Sequence, residues 1–277
     1  MWPKVNVRIV IPVAVFLVSP VPAAGTSIVV QLDSKRILIA ADTHGDKLDP
    51  GSQANDETEC KIVPLGHAAF ALTGNMDYIR NQIYDPVVSW DSRNDAREAY
   101  AAHNGDLLGT MVADWTERAK RHFTSFYRAN PARVAQLAKA NAENILLAGF
   151  FVGFQGGQST LIVDMVYLDE TKFLTPILDK QFVLSPRDLP YTSNGITQEL
   201  IEGNSERATA SQSSWATKIK TVKALEQAQR RAEFFIQETS KYDKTVGTHV
   251  NILAISPASD QQWLQNYTCP ALPQKPR

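Results

Sequence analysis

The chain has 277 residues, 44% of them hydrophobic and 21% charged, with a formal net charge of −1. That length buries a full core without metals or disulfide staples. The charge balance and the lack of a basic stripe argue against a nucleic-acid partner.

The first 25 residues read as an address label. Lys4 and Arg8 supply positive charge, Ile9 to Val18 is an apolar run too short to cross a bilayer comfortably, and Ala23-Ala24-Gly25 offers small residues for cleavage. This is the layout of a secretory signal peptide. A cut after Gly25 leaves Thr26 first, whereas a cut after Ala23 leaves Ala24-Gly25 as a short propeptide. The expected location is secreted or periplasmic, with no membrane association after removal; it is cytoplasmic if residues 1–25 are only a propeptide.

Next, Thr26 to Leu32 and Arg36 to Asp42 read as two hairpin strands around Asp33-Ser34. Thr43 to Glu59 is polar and reads as a loop. Lys61 to Pro64 and Ala68 to Leu72 read as short strands. Helices are expected over Asn75 to Trp90, Asp106 to Tyr127 and Pro131 to Ala142, the last with proline in its first turn. Strands follow over Ile145 to Gly153, Thr160 to Tyr167 and Lys172 to Leu184, with Gly156-Gly157 and Asp169-Glu170 as turns. Ile196 to Glu202 reads as a short helix and Trp215 to Ser240 as a long amphipathic one. Val250 to Ile255 is a final buried strand, and the proline-rich tail from 257 to 277 reads as irregular. Strand runs kept apart from helix runs imply an α+β fold with antiparallel sheets covered by helices. No repeat or linker divides the chain after residue 25.

The side-chain chemistry is sparse. The five histidines show no metal-ligand spacing. GFQGGQS lacks the lysine of a phosphate loop and reads as a hairpin turn. No GxSxG elbow is present. No cofactor is therefore expected. Asn266-Tyr267-Thr268 is a glycosylation sequon. Cys60 and Cys269 either form one bridge tying the tail to the body or are unrelated.

The segment TSIVVQLDSKRILIAAD resembles the start of a mature proteasome β-type subunit and of its bacterial relatives. It has Thr at the front, two hairpin strands, and an Asp sixteen residues after the Thr. CKIVPLGHAAFALTGNMDYI resembles the next two strands of that family, and KYDKTVGTHVNILAI its last ones. The resemblance implies the four-layer αββα sandwich of N-terminal nucleophile hydrolases over residues 26–256. It also implies a threonine-type peptidase acting on peptides or proteins, and a possible homo-oligomeric ring. Residue by residue it implies Thr26 as nucleophile, Asp42 and Lys61 as the charged pair beside it, and Gly74 as an oxyanion-hole donor. Ser193 in TSNG and Asp243 complete the set. Where the family often has Ser, three residues after that Asp, this chain has Val246. That departure keeps open an inactive binding or scaffold protein; a non-peptidase amidase of the same superfamily is the other alternative.

The residues carry their own logic. A threonine hydroxyl needs a base to take its proton, and a free α-amine titrates near neutrality, at about 7.7 to 8.0. If Thr26 becomes the terminus, hydroxyl and amine share one residue, and removing residues 1–25 switches the site on. Lys61 can lower the pKa of that amine if Asp42 fixes its position.

Overall fold

A computed structural model describes residues 26–44, 59–74, 90–139, 142–172, 174–188, 198–202, 224–242, 246–258 and 260–272. Strands β1 (Ile28–Leu32) and β2 (Ile37–Asp42) form the expected hairpin, with Ile28 opposite Ala41 and Leu32 opposite Ile37. Asp33 makes the turn: its N–H donates to Arg36 O at 3.0 Å and its carboxylate accepts from Lys35 N–H at 2.6 Å. β3 (Ile62–Leu65) and β4 (Ala68–Gly74) form a second hairpin. Gly66 in its turn has φ +65°, which favours glycine, and a Cβ there would lie 2.2 Å from the Tyr100 hydroxyl and displace that side chain.

Helices α1 (Ser92–Ala102), α2 (Leu108–Ala129) and α3 (Pro131–Lys139) follow. Asp91 caps α1 by accepting from Arg93 N–H, and Pro131 opens α3 as expected. β5 (Ile145–Gln155) and β6 (Gln158–Leu168) are joined by Gly156-Gly157, both with positive φ, the two-residue loop that suits strand twist. Then come β7 (Ile177–Leu184), β8 (Gln198–Glu202), α4 (Ala224–Tyr242), β9 (Val250–Ile255) and β10 (Gln261–Gln265).

The strands make two antiparallel five-stranded sheets, ordered β10-β9-β2-β1-β8 and β3-β4-β5-β6-β7. The two-residue period of the strands sorts side chains between three buried clusters. Ile28, Val30, Ile39 and Leu253 of the first sheet meet Ala71, Phe150, Val152 and Leu161 of the second. Val29, Leu38, Ala40 and Ile252, on the other face of the first sheet, pack on Ala232, Phe235 and Ile236 of α4. Phe70, Leu72, Leu147 and Phe151, on the far face of the second, pack on Trp115, Ala119 and Phe123 of α2. The described residues are thus α+β, with two antiparallel sheets and four helices, compatible with an αββα sandwich.

Three expectations change. Gln198–Glu202 is strand, not helix: it pairs with β1 along its length, and sheet pairing overrides the helical leaning of QELIE. The tail is not irregular throughout, because β10 pairs with β9. Helix α1 was not anticipated; its buried face is made of Ser92, Asp95, Ala96 and Ala99, too small and polar to show as an apolar stripe. The helix expected over 75–90 lies outside the described residues except at Trp90, as does the 215–223 part of the one before β9. No described helix is long and apolar enough to cross a membrane.

Cys60 and Cys269 form a disulfide with Cα atoms 4.8 Å apart, closing a separation of 209 residues. In a chain-entropy description, a loop of that size restricts the denatured chain by about 5 kcal/mol.

Candidate functional site

The two hairpins bring their chemistry to one end of the stacked sheets. Thr26 precedes β1 and Asp42 ends β2, so antiparallel pairing puts them at the same end of the first sheet. Lys61 precedes β3 and Gly74 ends β4, at the same end of the second. A buried ion pair joins the two ends. Lys61 Nζ lies 3.0 Å from Asp42 Oδ1 and 2.9 Å from Oδ2. Lys61 is 1% exposed and Asp42 0%.

Burying two charges costs several kcal/mol unless the remaining lone pairs are filled. Here they are. Asp42 Oδ1 accepts the Ser27 N–H at 2.9 Å; Oδ2 accepts the N–H of His44 at 3.1 Å and of Gly247 at 2.9 Å. Charge-assisted bonds of this kind are about twice as strong as neutral ones. The Ser27 bond fixes the backbone immediately after Thr26, which is itself half-buried. Gly247 approaches so closely that a Cβ would come within 2.8 Å of His44 N.

Gly74 has φ +92°, and a Cβ there would lie 2.7 Å from Leu146 O. Backbone demands glycine here, whatever else the residue does. Val246 is 5% exposed and belongs to the buried cluster of Phe235 and Ile236. Ser193 and Asp243 lie outside the described residues. Of the six candidate residues, therefore, Asp42 and Lys61 touch, Thr26 adjoins them through Ser27, and Gly74 shares their end of the sandwich.

Sequence reasoning missed the amide donors to Asp42, which come from backbone and leave no side-chain signature. It also missed Arg93 of α1. This guanidinium donates to Cys60 O at 3.1 Å and pairs with Asp91 and Glu59. Burial works against its charge, but the hydrogen bonds it donates to Asp91 and the nearby Glu59 carboxylate hold its pKa above the ordinary arginine value. The position of Cys60 next to Lys61 was the available signal that this corner is built up from several segments.

Among the described residues no group of His, Cys, Asp or Glu is placed to hold a metal ion. No protein-family model matches the chain, and no curated protein matches it.

Chemically, the arrangement offers a fixed, desolvated positive charge beside the backbone of residues 26–27, held against a carboxylate whose acceptor sites are occupied. Such a charge stabilises a neighbouring group in its deprotonated form.

Proposed function

We propose that the chain is the precursor of an exported threonine-type peptidase of the N-terminal nucleophile class. In this reading the domain is the αββα sandwich of the proteasome β-type subunits, matured by cleavage between Gly25 and Thr26. The single observation that carries the reading is the buried Asp42–Lys61 pair, one residue from Thr26 through the Ser27–Asp42 bond. The Cys60–Cys269 bridge supports export, since such bonds persist in oxidising compartments.

In the proposed reaction the freed α-amine of Thr26 takes the hydroxyl proton, directly or through a water. Oγ1 attacks the amide carbonyl of a peptide. Lys61 keeps the amine unprotonated by its charge, and the Gly74 N–H donates to the developing oxyanion. As the tetrahedral intermediate collapses, the Thr26 ammonium passes the proton it took to the leaving nitrogen; the amine product departs and an ester remains on Thr26, which water then hydrolyses. An uncut chain has an amide nitrogen at residue 26, without a basic lone pair, so the precursor is silent. Ser193 and Asp243 would orient the amine by family resemblance. Assembly into a homo-oligomer is part of the proposal and is read by size-exclusion chromatography.

Intact mass of the exported protein, followed by labelling with a threonine-directed electrophile, tests it. The expected chain starts at Thr26 and takes up one label. Thr26→Ala abolishes labelling and lowers hydrolysis by on the order of 10⁴-fold or more, as for other nucleophile deletions. Full activity in molecules that still carry Ala24 and Gly25 would overturn the reading. Burial of Val246 favours a second reading, a binding protein of the same fold, because that position supplies packing instead of a hydroxyl. A mature chain that starts at Thr26 but takes no label supports it. Labelling with turnover of small amides alone supports the amidase reading.

A further inference from the structure

The C-terminal segment reaches the candidate site at the residue next to Lys61. Cys269 is bonded to Cys60. Thr268 Oγ1 donates to Glu59 O at 2.9 Å and receives Asn251 Nδ2 at 2.7 Å. Asn251, fully buried on β9, also accepts the N–H groups of Tyr267 at 2.8 Å and Thr268 at 3.4 Å. The two sulfurs carry no hydrogen; they pack against Ile62 O at 3.9 Å from Cys269 and 3.0 Å from Cys60. The backbone just before Lys61, at residues 59–60, is therefore gripped by Thr268 and Cys269. Arg93 at Cys60 O and the Glu59 N–H to Thr43 O bond, 2.9 Å, hold it from elsewhere.

Lys61 is a long, flexible side chain whose ammonium meets both oxygens of Asp42. Where its Cα sits decides whether that reach is made. The covalent bond is the one tie in this grip that a change of compartment can open.

We propose that the Cys60–Cys269 bridge is a redox latch on the Lys61 site: closed, it fixes the backbone that aims Lys61 at Asp42; open, it frees the tail and loosens that aim. The consequence for hydrolysis rests on the threonine-peptidase reading; the latch does not. Opening is a two-electron thiol–disulfide exchange. One thiolate of a small dithiol attacks a bridge sulfur and forms a mixed disulfide. Its second thiolate then displaces the protein sulfur. Cys60 and Cys269 end as thiols, having gained two electrons and two protons, and the dithiol ends as a cyclic disulfide. In a reducing compartment the precursor would have its amine masked and its latch open, two independent conditions that export reverses.

Amide hydrogen exchange on the mature full chain, with and without dithiothreitol, reads the latch directly. Reduction is expected to speed exchange by roughly tenfold or more at residues 59–62 as well as 260–272, leaving β5 and β6 protected. In parallel, kcat is expected to fall by roughly tenfold or more with little change in KM, as small misplacements of catalytic groups do. The acid limb of the pH–rate profile should move upward as Lys61 withdraws. Reoxidation restores both readouts. The Cys60→Ser/Cys269→Ser variant behaves as the reduced protein with or without reductant, and adding Thr268→Val deepens the effect. Faster exchange confined to 266–272, or loss of protection across β5 and β6, overturns the latch. An unchanged rate in a chain proven to label at Thr26 overturns its link to hydrolysis. If the oxidised protein neither labels nor turns over, the peptidase reading falls while the exchange result still decides the latch.

Discussion

Two buried aspartates, one on each sheet, differ in how the fold meets their charge. Asp42 and Asp164 are 0% and 1% exposed. Asp42 is met by Lys61 and by three backbone N–H groups from separate stretches of chain. Asp164, on β6 under α2, has among the described residues only Thr116 Oγ1 at 2.8 Å and Gln181 Nε2 at 3.3 Å, both on Oδ2. Its Oδ1 has no hydrogen-bond partner among the described residues. The nearby Lys120 ammonium goes to Asp179 and Glu117. Thr116 has one hydroxyl hydrogen and two acceptors, Asp164 and Val112 O at 2.9 Å. With one hydrogen for two acceptors, Thr116 gives Asp164 at most a shared donor. Accordingly, burial raises the Asp164 pKa to about 6, with the Thr116 bond opposing and the Asp179 charge adding. Burial is common to both; the supply of donors separates them.

The largest expected effect is at the satisfied site. Lys61→Met leaves the Asp42 charge buried with amide dipoles alone and should cost about 3 to 5 kcal/mol in urea unfolding. A loss under about 1 kcal/mol, the value of a surface pair, would break the contrast.

Next comes Asp164→Asn, which keeps shape and supplies an N–H donor. The folded pKa lies above the unfolded value of 3.8, so the contribution of Asp164 to stability is fully present below that value and is lost as pH rises through about 6. A rise from 3.8 to about 6 corresponds to about 3 kcal/mol. Urea titrations from pH 4 to 8 should show wild type losing stability relative to the variant across that window. Parallel curves would remove Asp164 from the comparison.

The smallest effect, about 1 to 2 kcal/mol, is expected for Gly74→Ala, where positive φ and the Leu146 carbonyl oppose a Cβ. Thermal unfolding measures that cost. If Gly74 also serves the oxyanion, activity falls by more than the unfolded fraction explains.

Much of the framework was legible because its signals are local. β-branched runs, the Asp33 turn and the Gly156-Gly157 loop each declare themselves within a few residues, and β9 was read to its ends. β8 and β10 were not, because QELIE and QQWLQ become strands only by pairing with β1 and β9. The candidate site divides in the same way. Thr26, Asp42, Lys61 and Gly74 were named from residue type and order. The amide donors of Ser27, His44 and Gly247 belong to the backbone, which sequence encodes only through the whole fold.

By itself, then, the sequence determined which stretches alternate between two faces, where the chain turns, and which charged residues stand at strand ends. Periodicity and turn chemistry act over a handful of residues. Tertiary structure alone decided that Lys61 meets Asp42, that Cys60 takes Cys269 as its partner, and that Asp164 lies short of donors. Those outcomes depend on how far residues distant in the chain are drawn from water and set beside one another, and only the packed sheets fix that.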